Sequence, residues 1–375
     1  MTALVDEIDS PPAAPLGFSD HTFKSKSGID LAIRIWPAET PITAPAPFVL
    51  WTHGGGWFGG FHFAPLPWMS PAFRQRGYHL VSHNYRLAPQ ARLDDQLADC
   101  LEAVAWCREN LPSILGSNAV DVDRYVLCGE SAGGHLVTLM GTHLFDPPPR
   151  AIIDVYGVVD FLTLSAFDPD PTKRPNRSQQ GPWTGKFSED VLNSLLRDRN
   201  PANILTDAMP WNEFERFTDT QLSERWATDF RYTDRVLMQA ELHMMHALGV
   251  SADGLRVGVM HSEKFTSEEE LVAFASSMSP LRILQSRFEQ GQRGHELYPP
   301  TAFLHGTGDE SVPVEQSYAM AKLLREAGVP VVECYEEGEP HVFDKKYTGP
   351  NVRGWETYIQ PILDFIDKHT GYHRD

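Results

Sequence analysis

The stretch DRYVLCGESAGGHLVTLM, residues 123–140, joins a short apolar run to an apolar helical pattern through a turn of small residues. The run YVLC predicts a buried strand, and AGGHLVTLM predicts a helix that begins at the turn. Between them, residues 129–133 have the form Gly-x-Ser-x-Gly with Ser131 at the centre. A side chain lifted out of a sheet on so tight a turn needs small neighbours, and Gly129, Gly133 and Gly134 supply them.

The alternation of strands and helices continues on both sides of this turn. FVLW, YHLVSHNYR, AIIDVYGVV, TAFLHG and VVECY predict strands. A helix is predicted over 94–110, where Leu97, Leu101, Val104, Ala105 and Leu111 recur at helical spacing, and further helices over VEQSYAMAKLLREAG and 354–368. Nearly continuous apolar strands that alternate with helices predict an α/β fold with a mostly parallel central sheet flanked by helices.

The alternation stops between residues 161 and 280. This segment contains helix-like stretches such as SEDVLNSLLRDR, a long pattern near 220–247, and TSEEELVAFASSM with a capping box at its start. We therefore expect an irregular arm at 1–17, a core formed by 18–160 and 281–375, and a helical insertion at 161–280. The insertion holds six of the ten methionines. That content fits an adaptable apolar lid, or an insertion that simply needs its own core.

The charge balance excludes several classes of partner. With 32 basic and 50 acidic side chains, the net charge is −18, so phosphate groups are repelled, and we expect no nucleic-acid partner. No apolar run reaches about 18 residues, so we expect no membrane span.

The cysteines and histidines also lack the spacing of structural or metal sites. Cys100, Cys107, Cys128 and Cys334 form no Cys-x-x-Cys pair and are too few for a disulfide scaffold. Together with an acidic N-terminus unlike a signal peptide, they lead us to expect a reduced, cytoplasmic location. No HExxH or comparable spacing occurs, so we expect neither a metal nor another cofactor. The sequence gives no indication of the oligomeric state.

A second glycine motif follows the strand FVLW. In His53-Gly54-Gly55-Gly56-Trp57 the glycines let the backbone curl so that two amides face one point beside Ser131. The motif lacks the Lys-Ser/Thr pair and the glycine spacing of a phosphate-binding loop, which disfavours that alternative.

A serine hydroxyl becomes a nucleophile when a histidine accepts its proton and a carboxylate orients that histidine. Asp309 follows the strand TAFLHG and His341 follows the strand VVECY, so both lie at strand ends. Asp160, after the strand AIIDVYGVV, is a rival for the acid. His135, His143 and His305 lie within or beside predicted elements, where a structural role is expected.

Taken together, HGGGW, YRLAP at 85–89, GESAGG and the spaced Asp309 and His341 resemble the hormone-sensitive lipase group of α/β-hydrolases. The resemblance implies the α/β-hydrolase fold with the order Ser131, Asp309, His341, and an oxyanion hole formed by the amides of Gly55, Gly56 and Ala132. Glu130 matches the family's acid before the nucleophile, and we group it with the substrate-binding residues. Trp57, Phe58 and Phe61 are expected to line the pocket or to belong to the core.

The sequence departs from this group at its N-terminus, because the irregular arm does not provide the helical cap expected of many members. The insertion at 161–280 is a candidate substitute. The resulting hypothesis is a serine hydrolase that cleaves a small or medium apolar carboxylic ester through an acyl-enzyme. The alternatives are an amide hydrolase similar to aryl formamidases, an acyltransferase with the same residues, and a small-molecule receptor built on a catalytically retired hydrolase.

Overall fold

The computed structural model describes residues 17–39, 44–63, 65–143, 145–168, 170, 187–208, 238–239, 241–242 and 253–372. The predicted arm at 1–17 lies outside this part of the chain except for Gly17. The strands are β1 (Ser19–Lys24), β2 (Asp30–Trp36), β3 (Ala46–Thr52), β4 (His79–His83), β5 (Val120–Glu130), β6 (Ala151–Val155), β7 (Thr301–Gly306) and β8 (Val331–Glu336).

These eight strands form one sheet in the order β1-β2-β4-β3-β5-β6-β7-β8. The β1–β2 and β2–β4 pairs are antiparallel, and every pair from β4 to β8 is parallel. All seven residues of β3 are buried, as expected of a parallel strand covered on both faces. The prediction of a mostly parallel central sheet is confirmed.

The helices are α1 (Leu93–Leu115), α2 (Ala132–Met140), α3 (Glu189–Leu196), α4 (Glu268–Ser277), α5 (Pro280–Glu289), α6 (Gly294–Leu297), α7 (Glu315–Glu326) and α8 (Gln360–Thr370). Shorter helical turns occupy Ser70–Arg74, Phe161–Thr163, Ser165–Phe167, Pro201–Asn203, Gly254–Val259, Ser262–Lys264, Phe343–Lys346 and Trp355–Ile359. Among the residues that the structure describes, no helix is both long enough and apolar enough to cross a bilayer.

Two apolar cores lie against the sheet. One contains buried residues of α1, α2, α5 and α7, and the other contains buried residues of α8 and the turn Ser70–Arg74. On α1, Cys100 and Cys107 are both buried. The placement of Ala105 on the buried face is wrong, because Ala105 is exposed and Ala103 is buried in its place.

The predicted insertion is described only in part. The stretch SEDVLNSLLRDR forms α3, with the Ser188 hydroxyl accepting from the Val191 amide. TSEEELVAFASSM forms α4, where the Ser267 hydroxyl accepts from the Glu270 amide and Glu270 accepts from the Thr266 amide. The long pattern near 220–247 lies outside the described residues except at 238–239 and 241–242. The division of the chain at 161 and 280 stays a prediction.

Candidate active site

Ser131 stands on a sharp turn at the carboxyl end of β5. Its φ of 52° is in the left-handed region that non-glycine residues seldom adopt. The turn is closed by glycines, since a Cβ atom at Gly129 would overlap the Gly133 carbonyl group. The Ser131 amide donates to the Val155 carbonyl at 2.9 Å, which ties the turn to the end of β6. The predicted strand, turn and helix are all present.

Gly133 brings this turn against the end of β3. A Cβ atom at Gly133 would overlap the Thr52 carbonyl oxygen and would lie 2.6 Å from that of His53. Because real Cβ atoms do not approach so closely, only glycine permits this contact. The turn that carries Ser131 therefore lies directly beside the start of the second glycine motif.

His341 connects Ser131 with Asp309. Its Nε2 atom lies 3.0 Å from the Ser131 hydroxyl oxygen, and its Nδ1 atom lies 2.6 Å from Asp309 Oδ2. With the proton on Nδ1, the imidazole donates to the carboxylate and its Nε2 accepts from the serine hydroxyl. Three residues far apart in the sequence thus form one continuous hydrogen-bonded line.

Asp309 is held by more than the histidine. Its Oδ1 atom accepts from the amides of Ser311 and Val312, each at 2.8 Å. The His305 Nε2 atom lies 3.2 Å from Oδ2. Burial opposes ionisation of this carboxyl, but the contacts with His305 and His341 outweigh it and hold the pKa of Asp309 well below its usual range.

The loops after β7 and β8 pack closely enough to bring His341 to Asp309. The Gly308 amide donates to the Glu339 carbonyl at 2.9 Å, and the Thr307 amide donates to the Glu336 carbonyl at 2.9 Å. A Cβ atom at Gly306 would overlap the Glu339 carbonyl oxygen. The small residues of these two strand ends permit the approach.

The rival acid, Asp160, is engaged elsewhere. Its Oδ1 atom accepts from the Leu162 amide at 3.0 Å and from Arg282 Nε at 2.9 Å. It thus pairs with α5, while Asp309 contacts His341. The geometry favours Asp309 as the orienting carboxylate.

The second glycine motif lies beside the serine, as the sequence predicts. A Cβ atom at Gly54 would lie 3.2 Å from Ser131 Cβ. Gly55 and Gly56 have φ values of 107° and 56°, so the backbone makes the curl that glycine permits. Ala132 begins α2, and the first amides of a helix have no acceptor within it. The roles of Gly55, Gly56 and Ala132 in an oxyanion hole stay a prediction.

Glu130 contacts the glycine motif. Its Oε1 atom accepts from the Gly54 amide at 3.3 Å, and its buried Oε2 atom has no hydrogen-bond partner among the described residues. Burial and the charge of Asp344 raise the pKa of Glu130 to about 7. These contacts favour support of the loop, and the proposed role in substrate binding stays untested.

Trp57 and Phe58 are 4% and 1% exposed and belong to the core. Trp57 donates from Nε1 to His135 Nδ1 at 3.3 Å, and its ring lies 5.5 Å from that of Phe161. This burial favours the core alternative over a pocket lining. Phe61, in contrast, is only partly buried and stacks on Phe63 at 4.8 Å.

The sequence did not identify three residues around the histidine. His305, expected to be structural, contacts Asp309, and the Tyr156 ring lies 4.6 Å from the His341 ring. Asp344 accepts from the Tyr156 hydroxyl at 2.6 Å and from Trp68 Nε1 at 2.7 Å. Tyr156 directly follows β6, so its position at a strand end was the available signal. Asp344 had no comparable signal.

The described residues contain no cluster of side chains suited to binding a metal ion. Within the described ranges, no group of three or more histidine, cysteine, aspartate or glutamate side chains is arranged to hold an ion. The four cysteines are buried and unpaired.

Two family models match the chain. The model BD-FAE matches residues 37–210, and the model of the prolyl oligopeptidase family, Peptidase_S9, matches residues 244–373. The first match includes both glycine motifs, and the second includes Asp309 and His341.

Curated relatives are similar over nearly the whole chain. The non-reducing polyketide synthase Preu6 of Preussia isomera is 28% identical over 352 residues, which cover 92% of this chain and 14% of the synthase. The non-reducing polyketide synthase atr1 of Stereocaulon alpinum is 31% identical over 332 residues, covering 87% of this chain and 12% of the synthase. The chain therefore spans only a small part of the length of these relatives.

Among solved structures, Thermogutta terrifontis esterase 2 phosphoramylated by tabun aligns with a TM-score of 0.54 and 18% identity. The alignment covers 97% of this chain and 98% of that one. The two proteins share the fold over nearly their full length.

Proposed function

We propose that the chain is a serine hydrolase with the α/β-hydrolase fold, and that it cleaves the carboxylic ester of a small or medium apolar substrate through an acyl-enzyme. The observation that carries this proposal is the continuous hydrogen-bonded line from Ser131 through His341 to Asp309. A serine with this pair of partners is the arrangement that acyl transfer to a hydroxyl requires.

In the first half-reaction, Ser131 Oγ bonds to the ester carbonyl carbon while His341 Nε2 takes the hydroxyl proton. Asp309 holds the ring and stabilises its charged form. The oxyanion forms beside the glycine motif, where the amides of Gly55, Gly56 and Ala132 would donate to it. The bond to the alcohol then breaks, and the alcohol leaves with the proton from Nε2.

In the second half-reaction, water attacks the acyl carbon and Nε2 takes one of its protons. The bond between the acyl carbon and Ser131 breaks, and the serine recovers its proton as the acid departs. The ionised state of Asp309, held by His305 and two amides, keeps the carboxylate ready to face an imidazolium.

A substrate panel tests the proposal. We expect hydrolysis of p-nitrophenyl acetate and butyrate, and loss of nearly all turnover in Ser131→Ala. Hydrolysis of N-formylkynurenine with inertness toward both esters would contradict the ester assignment and favour the amide hydrolase.

A polyketide acyl group is a second candidate substrate. The similarity to proteins named as polyketide synthases, over 92% of this chain for Preu6, favours it. An acyl-enzyme formed from such an ester or thioester would use the same three residues. Offering the N-acetylcysteamine thioester of a hydroxybenzoic acid, with and without a phenol acceptor, distinguishes the two. Turnover that requires the phenol would identify an acyltransferase, and no turnover of the thioester would exclude this candidate.

A further inference from the structure

A short segment of the predicted insertion is joined to the loop that follows β3. We call residues 53–63 the glycine loop and residues 205–208 the clamp segment. The Gly60 amide donates to the Ala208 carbonyl at 2.7 Å, and the Ala208 amide donates to the Gly60 carbonyl at 2.8 Å. The Leu87 amide donates to the Leu205 carbonyl at 2.8 Å. The clamp segment thus pairs by its backbone with two parts of the core.

Asp207 and Thr206 make the side-chain contacts of the clamp segment, and Thr206 Oγ1 accepts from Asn84 Nδ2 at 2.9 Å. The Oδ1 atom of Asp207 accepts from the His62 amide at 3.0 Å and lies 2.9 Å from His62 Nδ1. Its Oδ2 atom accepts from Asn84 Nδ2 at 2.8 Å. The His62 and Asp207 side chains are only 8% and 16% exposed, so water screens this pair weakly. Burial opposes ionisation, but His62 and Asn84 hold the pKa of Asp207 below its usual range.

The glycine loop has little room to move between these contacts and Ser131. At Gly60, where φ is 102°, a Cβ atom would overlap His53 Nδ1 and the Gly54 carbonyl oxygen. Gly54 in turn lies against Ser131. A shift of the backbone at Gly60 would therefore displace the residues whose amides are proposed to receive the oxyanion.

The insertion makes a second contact with the same loop. Gln239 Nε2 donates to the Phe58 carbonyl at 2.8 Å, and Gln239 is fully buried. Gln96 Nε2 on α1 donates to the Trp57 carbonyl at 3.0 Å. The Trp57 and Phe58 carbonyls of the loop are thus held by α1 and by the insertion, while the position of Gly60 depends on the clamp segment.

We propose that Asp207 is a positioning residue for the oxyanion site, because it joins His62 of the glycine loop to Asn84, which follows β4. This inference rests on the proposed function, since it assumes that the loop amides receive an oxyanion. It gives the insertion a role in the chemistry besides that of a lid. Asp207 itself does not touch the reacting atoms.

The Asp207→Asn variant tests the proposal with little change in shape. Its new amide group would face the Asn84 amide donor, so the contact with Asn84 is lost. We expect kcat for p-nitrophenyl butyrate to fall about 10- to 100-fold with KM changed less than about threefold, because small misplacements of donors act in the transition state. Rates are expressed per site titrated with a fluorophosphonate, so that misfolded protein is not counted.

The double variant Asp207→Asn, Asn84→Asp restores the hydrogen bond between positions 84 and 207 with donor and acceptor exchanged. The Thr206 hydroxyl, which accepts from Asn84 Nδ2 in the wild type, can donate to the new carboxylate. The carboxylate introduced at position 84 would accept from the Ala32 amide, as Asn84 Oδ1 does at 2.7 Å, and from the new amide at position 207. We expect the double variant to recover most of the lost kcat. As a matched control, Asp367→Asn changes a carboxylate that joins Arg76 and Tyr78 away from the glycine loop, and it should leave kcat unchanged.

The outcomes separate the two proposals. A wild type that neither turns over the ester nor reacts with the probe overturns the proposed function, and this inference with it. An active wild type whose Asp207→Asn variant keeps its kcat per titrated site overturns this inference alone, even if the melting temperature falls. A double variant no better than the single one also contradicts it.

Discussion

At the scale of single residues, two carboxylates compete for the role of orienting His341. Asp309 lies 2.6 Å from its Nδ1 atom, while Asp160 pairs with Arg282 at 2.9 Å. We expect Asp309→Asn to lower kcat by about 10³- to 10⁴-fold, because an amide supports the wrong tautomer of the imidazole. Asp160→Asn should retain activity within about threefold. Steady-state kinetics with p-nitrophenyl butyrate measures both, and a larger loss in Asp160→Asn would reverse the assignment.

Glu130 makes the stability depend on pH. Burial and the charge of Asp344 raise its pKa to about 7, above the value of about 4.5 expected in the unfolded chain. Between these two values the folded state keeps a proton that the unfolded state releases, so this residue lowers stability as pH rises. Above pH 7 the free energy of unfolding has lost the whole contribution that this proton makes at low pH.

The Glu130→Gln variant removes this titration and retains an oxygen for the Gly54 amide. Relative to wild type it should gain stability from pH 5 to pH 7, by at most about 3 kcal/mol, since one pKa unit corresponds to about 1.4 kcal/mol. Urea unfolding at pH 5, 6, 7 and 8 measures the difference. A constant difference across this range would show that Glu130 ionises normally in the folded protein.

The positions of Ser131, Asp309 and His341 were accessible from the sequence because each follows an apolar run that forms a strand. The contacts that hold these three residues and the glycine loop in place could not be predicted from the sequence. His305 meets Asp309 through the geometry of one loop, and Asp207 meets His62 from 145 residues away. Such meetings depend on tertiary packing and leave no periodic pattern in the sequence.

At the scale of elements, the turn between β5 and α2 depends on its contact with β3. A methyl group at Gly133 would overlap the Thr52 carbonyl oxygen, which belongs to a buried strand and cannot easily move. We expect Gly133→Ala to lower the free energy of unfolding by about 1–3 kcal/mol and to lower the rate of acylation. Urea unfolding and probe kinetics test this.

Gly349→Ala is the matched control, because no atom lies within 4 Å of the added Cβ and the backbone there is not left-handed. It should unfold like the wild type. Equal stability of the two variants would mean that the turn does not pack on β3 as closely as described.

A helix could be predicted from the sequence where the spacing of its apolar residues and its capping residues indicate the same boundaries. Ser267 and Glu270 cap α4 as the sequence predicts. The misplacement of Ala105 arose because Ala103 and Ala105 are alike in hydrophobicity, and only packing of α1 on the sheet distinguishes them. The runs FVLW and YVLC are uninterrupted and form parts of β3 and β5, as a doubly covered parallel sheet requires. The strands β4, β6, β7 and β8 contain polar residues among their apolar ones.

At the scale of the whole molecule, a net charge of −18 gives a negative field around the protein. We expect KM for an anionic ester, p-nitrophenyl hemisuccinate, to fall several-fold when NaCl is raised from about 10 to 150 mM, because the Debye length shrinks from about 30 to 8 Å. KM for the neutral p-nitrophenyl butyrate should stay unchanged. Equal salt dependence of the two esters would show that the overall charge does not act on substrate approach.

The α/β-hydrolase fold that the sequence motifs imply is confirmed by the mostly parallel sheet and by the fold shared with the solved esterase. The two family models match the parts of the chain that carry the glycine motifs and the pair Asp309 and His341. The order of the strands explains why a few residues were enough to predict the fold and the position of the site. Parallel strands place their carboxyl ends at one edge, so residues that follow β3, β5, β7 and β8 converge there. No comparable rule of sheet geometry predicts where the residues of the insertion lie, so its contacts with the glycine loop could be identified only from the structure.

The central claim is that Ser131 is an activated nucleophile. Incubation of the folded chain with a fluorophosphonate, followed by mass spectrometry of the digested protein, tests it independently of any substrate. We predict a single adduct on Ser131 that disappears in Ser131→Ala and forms at least about 100-fold more slowly in His341→Ala. Labelling at another residue, or no labelling of folded protein, would contradict the account.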